Sequence, residues 1–371
     1  MKLLTRISWI FWNPDQKRLR ALWRLGVHIF AVSVFSTAFT LGLMVITLIG
    51  DSILGMDLTQ RLLDGEITTL SQVPLFLMVV VTAAAGLGVL LGTFLAGKFI
   101  DRRPFKDFGF HFSKAWWGDF AFGLALGAVL MALIFVIGWL TGNFRVVGFF
   151  QSFNDGLGFP IGFLQALFIY LLVGVYEELL SRGYHLINLS EGFNLKLIGK
   201  QWAILLAVLI SSSVFGLAHI FNPNASWIST LNIAIAGIVF SLGMIFTGQL
   251  AIPMGLHITW NFFQGNVFGF PVSGTRNGAT LIATEAVGPD WLTGGLFGPE
   301  AGVMGLGALL LGGLMILIWI GRKGPLSLKS ELAEFKPKDP SDPDEGKTER
   351  VEKQERFDAL SEGKISTCEC F

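Results

Sequence analysis

The sequence predicts an all-helical membrane protein, a polytopic bundle of about eight transmembrane helices followed by a disordered cytoplasmic C-terminal tail. Hydrophobic residues make up 52% of the chain and charged residues only 15%. The mean hydropathy is +0.62, and apolar runs of about 20 residues recur between short polar breaks. This is not the typical balance of a soluble domain of 371 residues. The bilayer is the solvent against which the sequence is written.

The apolar runs place spans near residues 25–50, 74–97, 119–140, 159–180, 202–220, 228–247, 250–265 and 301–320. Before the first span stand Arg6, Lys17, Arg18, Arg20 and Arg24. After the second come Lys98, Arg102, Arg103, Lys106 and Lys114, and after the fourth Arg182, Lys196 and Lys200. The loops 51–73 and 142–158 carry one Arg each, and Arg322, Lys323 and Lys329 close the eighth span. Because short loops rich in Lys and Arg stay inside, the reading is a cell-membrane protein with both termini cytoplasmic. The first apolar run is too long for a secretory leader and has no small-residue cleavage site after it, so it reads as a retained anchor.

The domain organisation that follows is a basic cytoplasmic segment at 1–24, a membrane domain at 25–322 and a charged tail at 323–371. Lys, Glu, Asp and Pro dominate residues 329–364, too few large apolar side chains to offset the entropy of ordering. The formal net charge of zero hides a basic, membrane-proximal inner face, which leaves no need for a nucleic-acid partner. Both cysteines, Cys368 and Cys370, lie in the last four residues, which excludes a disulfide framework or thiolate metal site within the spans. Gly88 with Gly92 and Gly123 with Gly127, each pair four apart, read as close helix packing in lipid. The long Gly- and Thr-rich loop from Asn266 to Pro299 reads as a rim or cap on the outer face. Its stretch Phe268–Gly274 is apolar enough to rest on the bilayer or fold back over the helices.

Within these apolar stretches sit ionisable side chains, which are costly in hydrocarbon unless paired or facing water and so mark function. The first cluster is Tyr176-Glu177-Glu178-Leu179-Leu180-Ser181-Arg182. At helical spacing Glu178 and Arg182 share a face, and Glu177 projects about 100° away. Arg182 therefore orients Glu178 and leaves Glu177 without a fixed cation, available as a general base. The second cluster is Phe215-Gly-Leu-Ala-His219, and the third is His257-Ile-Thr-Trp-Asn261. His219 taken alone also fits an interfacial cap beside Asn222 and Pro223. His257 and Asn261 share a face and present two donors, as a developing oxyanion requires, or else an interhelical polar clamp. His28, His111 and His185 have no companion at helical spacing. No His-Glu-x-x-His motif and no Gly-x-Ser-x-Gly elbow with a plausible triad occurs.

Taken together, Glu-Glu-x-x-x-Arg, Phe-x-x-x-His and His-x-x-x-Asn, in this order over residues 159–265, resemble the CAAX-protease and bacteriocin-processing (CPBP) family. The resemblance implies an intramembrane glutamic endopeptidase, similar to type II CAAX prenyl endopeptidases, acting on a membrane-associated peptide or protein. It implies Glu177 as the base that activates water, assisted by His219, and His257 with Asn261 as the oxyanion pair. Glu178, Arg182 and Phe215 become supporting residues. No cofactor is expected, the alternative being a zinc ion on Glu177, His219 and His257 with an open fourth position. A chaperone or immunity protein that binds peptides without cutting them is the other alternative. The terminal Cys368-Glu-Cys-Phe371 has an acidic residue where a prenylation signal has an aliphatic one.

The site is expected to open toward the cytoplasm. One distance count conflicts with that placement. Measured from the basic face at 1.5 Å per residue, His257 lies about 10 Å deep and His219 roughly 25 Å deep. Convergence requires either that Leu186 to Gly199 dips into the membrane or that the fifth span begins outside it.

Overall fold

The computed structural model describes residues 10–54, 75–153 and 158–335, with Gln60 and Asp64 between the first two stretches. The region from 336 onward, including both cysteines and most of the expected disordered tail, lies outside the described residues. The long apolar runs become α1 (Ala21–Leu54), α2 (Leu75–Leu95), α3 (Lys114–Leu140) and α4 (Phe159–Glu178). After them come α5 (Leu186–Phe193), α6 (Lys200–Ala218), α7 (Trp227–Thr247) and α8 (Ala251–Phe262). A single turn, α9 (Asp290–Thr293), precedes α10 (Val303–Gly321). Helix ends carry local signals: Ser113 caps α3, Ser226 and Ser229 form a reciprocal cap on α7, and Gly248 ends α7 in the left-handed conformation.

Among the described residues seven helical runs are long and apolar enough to cross a membrane, against about eight predicted. The difference is the expected span 250–265. Its helix, α8, has 12 residues, about 18 Å at the helical rise, and almost every side chain on it is buried. It reads as a span because it lies inside the bundle, surrounded by protein, with apolar side chains around most of its circumference. The other correction concerns the fourth span. A π-helical turn, Leu179–His185, joins α4 to α5 without interruption, giving a single run from Phe159 to Phe193. Glu177 therefore falls near the middle of this helix. Counted from Phe193, Glu177 is about 24 Å along the run, and His219 is about 28 Å along α6 counted from Lys200. The depth conflict lay in starting α8 at the basic face: His257 is 2.8 Å from Glu178, which is about 22 Å along the run from Phe193.

Close packing fixes α8. A Cβ on Gly127 of α3 would stand 2.5 Å from the Leu256 carbonyl and 2.8 Å from the Trp260 amide. A Cβ on Gly174 of α4 would stand 2.5 Å from Ile258 Cγ1. Gly92 of α2 approaches Val32 of α1 in the same way. The paired glycines are thus contact surfaces between helices.

The two loops at one end of the bundle pair with each other. Strand β3 (Phe144–Ser152) runs antiparallel to β4 (Ala279–Ala286), from Phe144 opposite Ala286 to Ser152 opposite Ala279, with an irregularity between Val146 and Gly148. Phe268, Phe270 and Val272 are buried, so the loop after α8 folds back over the helices.

At the other end, a short ladder of β1 (Trp12–Asn13) and β2 (Arg18–Leu19) leads into α1. Arg18 and Arg24 reach Glu191 Oε2 at 2.6 and 2.7 Å, and Arg103 pairs with Glu191 Oε1. Arg24 also faces Asp101 at 3.4 Å. These three arginines, read from sequence as interfacial, are internal ion pairs. Burial pushes the Arg18 guanidinium down to about 10, still cationic at neutral pH. The first part of the expected structureless tail is also ordered here. The Lys329 amide donates to the Ile245 carbonyl, Leu332 and Ala333 are buried, and the Phe335 ring lies 3.4 Å from the Arg18 guanidinium.

The glycine contacts generate a stability prediction. Gly127→Leu is expected to lower the melting temperature in detergent, at a cost of about 1–3 kcal/mol for overpacking against backbone. Gly118→Leu, on the same helix with nothing within 4 Å of its Cβ position, is expected to melt with the parent protein. Equal melting of the two variants would refute the packing assignment.

Candidate active site

All three sequence clusters converge. Glu177, Phe215, His219, His257 and Asn261 line one cavity of about 230 Å³. Glu178 and Arg182 stand directly behind it, each almost fully buried. The Glu177 side chain keeps about a fifth of its surface exposed, whereas that of Glu178 is wholly enclosed. The two adjacent carboxylates therefore occupy different environments, as their 100° separation on the helix requires.

Glu178 organises the support. Arg182 Nη1 donates to Glu178 Oε1 at 2.8 Å, one helical turn away. His257 Nδ1 lies 2.8 Å from the same oxygen. An ionised carboxylate only accepts, so this nitrogen carries a proton. His257 Nε2 is then the nitrogen left for the cavity, 3.9 Å from Glu177 Oε2. This bridge between α4 and α8 depends on Gly174, which lets α8 approach one turn before the glutamate pair. The π turn begins at the residue after Glu178, an irregularity that recurs at functional sites.

His219 sits at the C-terminal cap of α6, which satisfies the capping reading as well as the functional one. Its Nδ1 is 2.8 Å from the Phe215 carbonyl. The carbonyl only accepts, so Nδ1–H donates and Nε2 is free to accept a proton. Phe215 touches each partner: the Arg182 guanidinium lies 4.4 Å from its ring centre, the His219 ring 4.9 Å and the His257 ring 6.3 Å. Phe215 thus separates Arg182 from the cavity while packing both imidazoles.

The expected zinc alternative needs Glu177, His219 and His257 to converge on one point. His257 turns one nitrogen to Glu178 at 2.8 Å and the other toward Glu177 at 3.9 Å. Among the described residues no three His, Cys, Asp or Glu side chains are grouped to hold a metal ion.

The cavity is bounded by the loop after α8. The loop residues Val272, Ser273, Thr275 and Asn277 wall the cavity. They precede β4, at the opposite end of the Phe159–Phe193 run from Glu191 and its arginines. The cavity lies between mid-bundle and the strand end, because Glu177 is central in its helix and His219 ends α6 on that side. Sequence reading missed Glu300, a buried carboxylate on the same wall. Its signal was a lone acidic residue immediately before the last apolar span.

No curated protein and no solved structure gave a match to the chain. A family model does match, described as Type II CAAX prenyl endopeptidase Rce1-like, over residues 159–263. That segment runs from the start of α4 to the end of α8 and holds all three clusters. With several helices long and apolar enough to cross a membrane around it, the chain is a multi-pass membrane protein, and its segment 159–263 is similar to CAAX-type endopeptidases.

Proposed function

We propose that the chain is an intramembrane endopeptidase that cleaves a membrane-associated protein or peptide with water activated by Glu177. The observation that carries this reading is the division between two neighbouring glutamates. Glu178 is committed to Arg182 and His257, and Glu177 alone reaches the cavity. Such a carboxylate, unpaired by any fixed cation and next to two imidazoles, suits proton transfer.

In the proposed reaction Glu177 removes a proton from water, helped by His219 Nε2 as acceptor. The hydroxide adds to the scissile carbonyl carbon, and its π electrons move to oxygen. Asn261 donates an N–H to that oxyanion, and His257 donates through Nε2 when both its nitrogens are protonated. The C–N bond then breaks as the amine nitrogen takes the proton that Glu177 had accepted. A wet, protein-lined cavity is the only setting in which a membrane-embedded site performs hydrolysis.

The reading needs no metal, supported by the way both His257 nitrogens face carboxylates. The bilayer and a membrane-associated substrate are its partners, and nucleic acid has no part. We also propose a cell-membrane location with both termini cytoplasmic. Lys17, Arg20, Lys98, Arg102, Lys106, Arg322 and Lys323 remain exposed at the arginine end, which supports that orientation. The cavity's loop wall then faces away from the cytoplasm.

Glu177→Gln is expected to abolish cleavage, by at least about a hundredfold for loss of a general base, without lowering membrane insertion. Comparing peptide termini in membranes of cells expressing either protein at equal levels measures this. Termini that disappear in the variant identify the substrate, and an unchanged set favours the peptide-binding alternative. Purified active protein is expected to keep its activity in excess EDTA, with metal well below one equivalent by mass spectrometry. Stoichiometric zinc whose removal stops turnover would establish the other mechanism. For orientation, single cysteines are placed by Phe149→Cys on β3 and Lys323→Cys after α10, with Cys368→Ser and Cys370→Ser. An impermeant maleimide on intact cells is expected to label the first only, and the reverse pattern would invert the topology.

A further inference from the structure

The cavity has a second carboxylate that the three motifs do not contain. Glu300 stands on the turn Pro299–Ala301 before α10, beyond the matched segment 159–263, and lines the cavity with Glu177. Its position is held from two sides. The Glu300 carbonyl accepts from Asn232 Nδ2 of α7 at 3.0 Å. Its Oε2 accepts from the Ser273 amide at 2.8 Å and the Ser273 hydroxyl at 3.1 Å.

No fixed cation neutralises this wall. Among the described residues no Lys or Arg lines the cavity. Arg182 is taken by Glu178 and screened by Phe215. Arg276, on the same loop, borders a different cavity with Glu285 and Asp290. The charge-bearing side chains of the lining are two carboxylates and two imidazoles, set among apolar residues such as Val173, Ile233 and Leu309.

We propose that Glu300 is a specificity-determining residue, which pairs with a basic side chain of the substrate near the scissile bond and disfavours a free carboxylate there. This rests on the peptidase reading and narrows its substrate class. Placing a Lys or Arg side chain in such a cavity is costly unless an anion meets it, and Glu300 supplies that anion at a fixed place. Burial pushes the Glu300 carboxyl upward, opposed by the Ser273 donors and by His219. An arriving ammonium or guanidinium favours its ionised form, whereas an arriving carboxylate repels it. The preference is therefore for an internal basic segment over a tail whose terminal carboxylate lies within the cavity.

The test uses the full chain in liposomes with palmitoyl-anchored, internally quenched peptide pools. One position near the centre is Lys, Gln or Glu, each pool being made with an amidated and a free-acid C-terminus. The wild-type protein is expected to cut the Lys pool at least tenfold faster in kcat/KM than the Glu pool, and amides faster than acids. Glu300→Gln, which keeps an oxygen for Ser273, is expected to bring Lys and Glu pools within about twofold, and Glu300→Lys to invert their order. Wild-type cleavage without charge preference would overturn the proposal irrespective of how the variants fold. An equal fall across all pools in both variants would also overturn it, since a merely structural role predicts that. Cleavage of no pool, or cleavage that survives Glu177→Gln, would refute the peptidase reading itself, and the proposal with it.

Discussion

The buried carboxylate of Glu178 is the interaction on which the site depends. One oxygen accepts from Arg182 and from His257, tying α4 to α8 inside the bundle. Removing one partner of such a buried set leaves an uncompensated charge, at about 3–5 kcal/mol. The same contact sets the protonated nitrogen of His257 and so decides which nitrogen meets the cavity. Because Glu178 takes up the local cation, its neighbour Glu177 is left to the solvent-accessible side. Two identical residues in sequence acquire different roles from a single hydrogen-bonded cluster.

That cluster forms only because α8 is enclosed. A 12-residue helix cannot cross a bilayer, and in lipid its polar residues would be exposed to hydrocarbon. Gly123 and Gly127 on α3 and Gly174 on α4 let it sit backbone to backbone against both helices. Close packing, the main source of helix association in membranes, therefore brings His257 within reach of Glu178. The far end of the bundle has its own charged centre. Glu191 gathers Arg18, Arg24 and Arg103, and Tyr184 donates to Asp101 at 2.5 Å while stacking on His28. These contacts join the start of α1, the end of α2 and α5. His28 and His185, which have no helical companion in sequence, belong to this centre through their rings.

Apolar run length and residue spacing made the helical class, the helix order and the three clusters legible. Those properties are local: a run of about 20 apolar residues has few fates, and residues four apart share a helix face in any context. The pairing of Glu178 with Arg182 and the packing role of the glycine pairs follow from the same local geometry.

Only tertiary structure decided the rest, because it depends on what each segment meets. Apolar composition does not distinguish a lipid-facing helix from an enclosed one, so α8 reads as a span. A π turn leaves no mark in hydrophobic periodicity, so the run through Leu179–His185 reads as an end, and Glu177 moves from an apparent interface to mid-helix. Lys and Arg near a membrane face read alike whether solvated or buried, and only the fold shows Arg18, Arg24 and Arg103 held by Glu191. Glu300, far from the motifs in sequence, reaches the cavity through a loop whose path is set by Ser273, Asn232 and the β3–β4 pairing. Local sequence determined which side chains can do chemistry, and long-range packing decided where they face and which of them share one cavity.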